Sequence, residues 1–245
     1  MENPWDQIAE HRHYQLVSGE DHTFNELLLP QLNEILRDLD NIIDYKVIDI
    51  GCGTGFLTEI LSHQVKRIVG IDPSQKSISI AKDYVKDIQN AWVECVSIED
   101  FAQHHREEFD LAIAHMTLQA IEDLDKAISG ISNTLKTNGW FIFSIPHPCF
   151  WHNIKSKVGD DNFHYHIPSI HENTFRFSED LQFEVPYFHR SLDSYCSTLR
   201  SYDLSIIDIY EPFPDETLMK KYLRPWFAPG FMFVLSKKIQ IGGSR

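Results

Sequence analysis

Leu28, Leu32, Ile35, Leu36 and Leu39 recur at helical spacing across residues 24–40, with acids and amides between them. Such a stripe predicts an amphipathic helix, and Pro30 falls in its first turns, where a missing N–H costs least. Beyond residue 45 the pattern changes to short continuous apolar runs alternating with helical ones. KVIDIG (46–51), RIVGID (67–72), AWVECVS (91–97), FDLAIAH (109–115) and GWFIFSI (139–145) read as strands. Helices are predicted between them at 56–64, from an N-cap at Ser74 onward, and at 124–136. Apolar strands joined by helices mean a parallel sheet covered on both faces.

Residues 146–190 break that rhythm. They are rich in His, Pro and aromatics, and no period holds for more than a few positions. So long a stretch inside a compact α/β protein reads as a lid or insertion. A helix at about 191–202 then precedes two closing strands, 204–212 and 231–238. The expected architecture is an α/β, doubly wound, seven-stranded sheet with its last strand antiparallel. No repeat or linker divides the chain, so residues 1–245 form one expected domain, with a helical cap at 1–40 and a lid at 146–190.

Apolar residues at 42% and charged ones at 24% exclude a disordered, collagen-like or coiled-coil chain. Lys+Arg 22 against Asp+Glu 36 leaves a net charge of −14. A net anion is repelled by phosphate backbones and anionic lipid, so neither a nucleic-acid nor a membrane partner is expected. Cys52, Cys95, Cys149 and Cys196 form no C-x-x-C pair and suit a reducing compartment. With no basic-then-apolar leader and no run of apolar residues long enough to span a bilayer, a cytoplasmic monomer or homodimer is the expectation.

The sharpest chemical signal is VIDIGCGTG, from Val47 to Gly55. Gly51, Gly53 and Gly55 follow a strand and open a helix, where side chains would keep the backbone from a ligand and obstruct the turn. The dinucleotide fingerprint G-x-G-x-x-G needs its third glycine where Phe56 stands, so the loop differs from one cupping a pyrophosphate. Asp72, in GIDPS, ends the second strand about twenty residues on, where a carboxylate can accept from both ribose hydroxyls. It can also cap the helix that begins near Ser74. Together these signals indicate adenosine recognition without a pyrophosphate.

At this point the chain resembles the class I S-adenosylmethionine-dependent methyltransferases, in their small-molecule branch. VIDIGCGTG, GIDPS, VSIEDF, EFDLAIAHMTLQAIED and LKTNGWFIFSIPHPCF carry the likeness over about residues 45–150. The resemblance implies a Rossmann-like methyltransferase fold and S-adenosyl-L-methionine as cofactor. Asp49, Gly51, Gly53 and Gly55 would then line its methionine half and Asp72 hold the ribose. Ile98 would meet adenine through its backbone N–H. Ser97 stands where relatives often carry Asp, and Glu99 is the nearest substitute. Ala114 and His115 would meet the methionine amino group and the methyl-donor region, and Tyr14 would close an N-terminal helix over the cofactor. The resemblance also implies methyl transfer to an O, N, C or carboxyl atom of a small molecule, releasing S-adenosylhomocysteine. AHMT replaces the D-P-P-Y or N-P-P-Y run of relatives that methylate amino groups of nucleobases or glutamine. A non-catalytic module that binds the same cofactor and a nicotinamide oxidoreductase are the alternative readings.

Candidate general bases belong at C-terminal strand ends. His147 in IPHPCF ranks first, His189 in YFHR second and His115 third, each equally readable as a non-catalytic polar partner. Six of the thirteen histidines (147, 152, 164, 166, 171, 189) fall in or beside the lid. His164-x-His166 matches no H-E-x-x-H or facial-triad pattern, so no metal is expected. The lid aromatics, Phe150, Trp151, Phe163 and Phe175 among them, read either as an acceptor pocket or as a satellite core. Arg224 reads as a carboxylate ligand or a surface residue.

Overall fold

Val47, Ile48 and Ile50 are buried on both sides of the first strand, β1 (Lys46–Ile50). The same two-sided burial holds in β2 (Arg67–Ile71), β4 (Phe109–His115) and the end of β5 (Leu135–Pro146), while β3 (Ala91–Glu94) lies at the sheet's edge. That explains why the sequence shows unbroken apolar runs rather than alternation. The computed structural model describes residues 3–150, 163–177, 181–222 and 225–239; Trp151, His152 and Arg224 lie outside them.

The main sheet has seven strands in the order β3-β2-β1-β4-β5-β9-β8. β1 to β5 pair in parallel. β9 (Phe231–Lys238) runs antiparallel to β5 on one side and to β8 (Leu204–Tyr210) on the other. The last strand is the antiparallel one, as expected, and the structure adds that it enters between its two neighbours. One face packs Ile48, Ala112, Phe141 and Phe143 with Ile128 and Leu199, from helices spanning 124–134 and 192–201. The opposite face packs Val47, Ile68, Leu111, Ile113 and Phe233 with Leu32, Ile35, Leu57 and Leu61, from helices spanning 29–37 and 56–62.

The helices, in chain order, are α1 (Ala9–Val17), α2 (Leu29–Arg37), α3 (Phe56–Ser62), α4 (Gln75–Val85), α5 (Ile98–Phe101), α6 (Leu124–Thr134), α7 (Leu192–Ser201) and α8 (Glu216–Met219). Ser74 caps α4, its Oγ accepting from Ser77 N–H at 3.0 Å, as expected. The predicted single helix over 24–40 divides instead. A π-helical run spans Phe24–Leu28 before α2, with Leu29 N–H donating to Phe24 O. Proline has no N–H to donate and crowds the carbonyl four residues earlier, and a widened turn before Pro30 relieves both.

The segment between β5 and α7 holds a second sheet, an antiparallel ribbon of β6 (Ser169–Arg176) and β7 (Gln182–His189). In β7 Val185, Tyr187 and His189 are buried while alternate positions are less so. Arg190, at the end of that ribbon, is buried and turns back across the chain after β4. Its Nη2 donates to the carbonyls of Ile121 and Glu122 at 2.6 and 2.7 Å, and its Nη1 reaches that of Leu118 at 3.3 Å. No carboxylate bonds it among the described residues, so backbone carbonyls satisfy the charge. No helix among the described residues is long and apolar enough to cross a membrane. Arg190→Ala orphans those carbonyls, and urea unfolding is expected to show a loss of about 1.5–3 kcal/mol.

Candidate active site

Strand order reverses between β1 and β4, so the chain leaves their C-terminal ends in opposite directions and opens a crevice. A cavity of about 860 Å³ lies there. Its floor is the glycine loop after β1 together with the ends of β2 and β4. Its roof is α1, the π-helical run and the ribbon, through Ile8, Arg12, Phe24, Asn173, Phe175 and Tyr187.

The loop's shape follows from its glycines. Gly51 has φ +69°, and a Cβ there would sit 2.4 Å from the side chain of Thr117. Thr117 cannot retreat freely, because its Oγ1 contacts the carbonyl oxygens of Ile50 and His115, each at 3.0 Å. Gly53 has φ +54°, and a Cβ on it would meet nothing within 4 Å, so it borders open space. Gly55 instead lets α3 approach Ala81 of α4.

Asp72 binds two backbone amides. Oδ2 accepts from Gly53 N–H at 3.0 Å and Oδ1 from Ser74 N–H at 2.7 Å. Burial raises its pKa, while those two amides pull it down. Each oxygen still has a lone pair for a hydroxyl at the cavity edge. Asp49 is fully buried, and Thr58 Oγ1 donates to its Oδ2 at 2.6 Å. Burial pushes this carboxyl up to about 7, with the charge of Asp72 adding to the rise. Val96, Ser97, Ile98 and Glu99 line the cavity beyond β3. Ser97 Oγ is engaged as the cap of α5, accepting from Asp100 N–H at 3.2 Å.

His115 is the one of the three candidate histidines that lines the cavity. Its ring lies between Phe24 and Phe233, at centroid distances of 5.3 and 5.9 Å. Burial there lowers its pKa to about 4. Nδ1 meets Ser144 Oγ at 2.7 Å, and Nε2 is buried with no partner. His147 and His189 stand outside the lining. His147 Nε2 meets Glu211 Oε1 at 2.7 Å, and its Nδ1 accepts from Cys149 N–H at 3.2 Å. His189 Nε2 meets the Tyr165 carbonyl at 2.9 Å. Ala114 is buried away from the cavity, and Tyr14 is 63% exposed and outside the lining.

Several lining residues carry no motif. Arg12 donates to Asp21 at 2.9 Å and lies over the Phe175 ring. Gln119 donates through Nε2 to Met116 O at 2.6 Å, leaving Oε1 buried without a partner. Asn173 Oδ1 is likewise unpartnered. Met116 holds φ +52°, an uncommon conformation for a residue with a Cβ, as the chain turns out of β4. Ser144 was visible as a lone hydroxyl inside the apolar run FIFSI, but its role depends on its pairing with His115 across β4 and β5. Among the described residues no group of three or more His, Cys, Asp or Glu side chains is arranged to hold a metal ion.

A family model described as a methyltransferase domain matches residues 43–175, more than half of the chain. The chain belongs to that family. Its matched region runs from before β1 into the ribbon, so it contains the glycine loop, Asp72 and His115. The ubiquinone biosynthesis O-methyltransferase of Hydrogenovibrio crunogenus is 28% identical over 57% of this chain and 54% of its own length. The chain thus spans about half of that curated relative. The uncharacterized methyltransferase C70.08c of Schizosaccharomyces pombe is 27% identical over 85% of this chain and 78% of its own. The fold is shared with an S-adenosylmethionine-dependent methyltransferase from Clostridium acetobutylicum, at a TM-score of 0.61 and 21% identity, over 85% of this chain and 89% of that one.

Asp49 gives this methyltransferase-family site a pH signature. In the unfolded chain the carboxyl loses its proton near its ordinary value of 3.8; in the fold it keeps it to about 7. The folded state binds the extra proton between those values, so its stability falls as pH rises through the window and levels off above it. Each pH unit of that window costs on the order of 1 kcal/mol. Urea unfolding from pH 4 to 8 is expected to show this slope, and Asp49→Asn to flatten it.

Proposed function

We propose that this chain transfers the methyl group of S-adenosyl-L-methionine to a small-molecule acceptor in the cytoplasm. The observation that carries the reading is the cavity at the switch point, whose lining combines the partly buried Asp72 carboxylate with unpartnered neutral polar atoms on His115, Gln119 and Asn173. A nucleoside needs the first and an acceptor needs the second. Four free cysteines support a reducing compartment, and the net charge of −14 argues against a nucleic-acid acceptor.

The residues fit the cofactor. Asp72 has lone pairs for the ribose hydroxyls, the open side of Gly53 leaves space for the backbone to approach a ligand, and Val96 and Ile98 offer an apolar edge to adenine. Asp49 sits where a cationic amino group would favour its charged form. When bound, S-adenosylmethionine supplies an electrophilic methyl group on a sulfonium. The protein's task is then to hold an acceptor in line and to exclude water, and positioning of that kind lowers a barrier by several kcal/mol. Phe24, Phe175, Phe231 and Phe188 provide the apolar walls. The N-terminal helices and the ribbon act as the roof. Trp5 and Phe175 meet edge to face at 5.8 Å where the two halves of that roof touch. His147 and His189, each engaged by protein groups, act on loop structure in this reading, while His115 faces the acceptor.

Isothermal titration with S-adenosylhomocysteine tests the reading, which absence of binding contradicts. Asp72→Ala is expected to weaken that binding by about 1–3 kcal/mol. His147→Ala is expected to leave it nearly unchanged. A cell extract incubated with methyl-labelled cofactor should yield a labelled small molecule; a chain that only binds the cofactor labels nothing.

A further inference from the structure

The bonds around Ser144 fix which nitrogen of His115 carries the proton. Ser144 is fully buried and stands beside His115 in the β4/β5 register. Its Oγ accepts from Met116 N–H at 3.0 Å, an N–H shared with the Ser144 carbonyl. Among the described residues the hydroxyl proton then has one acceptor within reach, His115 Nδ1 at 2.7 Å. The opposite tautomer, with Nδ1 donating to Oγ, leaves the serine proton buried without an acceptor and Nε2 buried without a donor. With Nδ1 accepting, the one orphan left on this pair among the described residues is the Nε2–H, buried on a ring that lines the cavity.

We infer that Ser144 is a positioning residue that holds His115 as a neutral hydrogen-bond donor, and that the acceptor lodges a carboxylate or phenolate oxygen against its Nε2–H. The inference rests on the methyltransferase reading and narrows its substrate class. An Nε2 that already carries a proton takes none from the acceptor, so His115 serves oxygens that arrive deprotonated. Phe24 and Phe233 flank the ring and keep it uncharged. The charged groups nearest it, Arg12 from α1 and Asp21 from the turn that follows, are paired with each other at 2.9 Å. Among the described residues the other buried unpartnered atoms of the lining, Gln119 Oε1 and Asn173 Oδ1, are acceptors and repel an oxyanion. His115 is therefore the donor in this group that an oxyanion can use.

The test is ¹⁵N NMR of the histidine-labelled protein at neutral pH, first alone, then with S-adenosylhomocysteine, then with benzoate added. The expected spectrum shows His115 with a pyrrole-type Nε2 and a pyridine-type Nδ1. Its Nε2–H signal should stay in place with S-adenosylhomocysteine and move downfield with benzoate. Ser144→Ala should mix the two tautomers without loss of the folded spectrum. His115→Phe should lose labelling of extract metabolites, and His115→Gln, which supplies a donor but no base, should restore part of it. A pyridine-type Nε2, engagement of Nε2–H by S-adenosylhomocysteine alone, or no response to benzoate overturns the inference. Binding of S-adenosylhomocysteine alongside any of those results leaves the methyltransferase reading standing. Its failure to bind removes that reading and this inference with it.

Discussion

One carboxylate joins the parts on which the site depends. Asp72 takes the N–H of Gly53 with one oxygen and that of Ser74 with the other. The loop after β1 and the start of α4 are thereby held to a single partly buried carboxylate at the end of β2. Taking a carboxylate even partly out of water is costly unless it is hydrogen-bonded, and amides of two separate elements meet that need. The same bonds fix where its remaining lone pairs lie. In the proposed reading scaffold and recognition share one group: Asp72 orders the loop by being bonded and offers an acceptor by being incompletely bonded.

The floor and roof of the cavity are built differently. The floor consists of strand ends and a loop whose glycines are required by positive φ and by Thr117. The roof comes from segments remote in sequence. Asp6, just before α1, accepts from Ser74 Oγ at 2.6 Å and from Lys76 N–H at 3.1 Å, so the N-terminal turn rests on the start of α4. Arg190 ties the end of the ribbon to the chain after β4. Both roof contacts end on floor elements that border the cavity. A ligand that orders either half thus acts on the same backbone that shapes the floor.

Much of the floor was legible in the sequence because local rules dictate it. Gly51, Gly53 and Gly55 occupy positive-φ positions, Ser74 caps the helix it precedes, and the apolar runs are continuous because both sheet faces are covered. The exception was also local: Pro30 turned one expected helix into a π-helical run followed by α2. What the sequence did not reveal depends on distant partners. His147, His189 and His115 all lie near strand ends, but which one faces the cavity depends on Glu211, Tyr165 and Ser144, each remote along the chain. The ribbon was hidden because its inward positions, Val185, Tyr187 and His189, are broken by Pro186 and end in a polar ring. Ser144 and Gln119 read as ordinary polar residues until the sheet brings them to the end of β4.

A crystal structure with S-adenosylhomocysteine diffused in tests the central claim most directly. The account predicts ribose hydroxyls on the Asp72 carboxylate, adenine against Ile98, and the sulfur facing the side of the cavity where His115 lies. A nucleoside bound elsewhere, or in this cavity with its ribose away from Asp72, contradicts it.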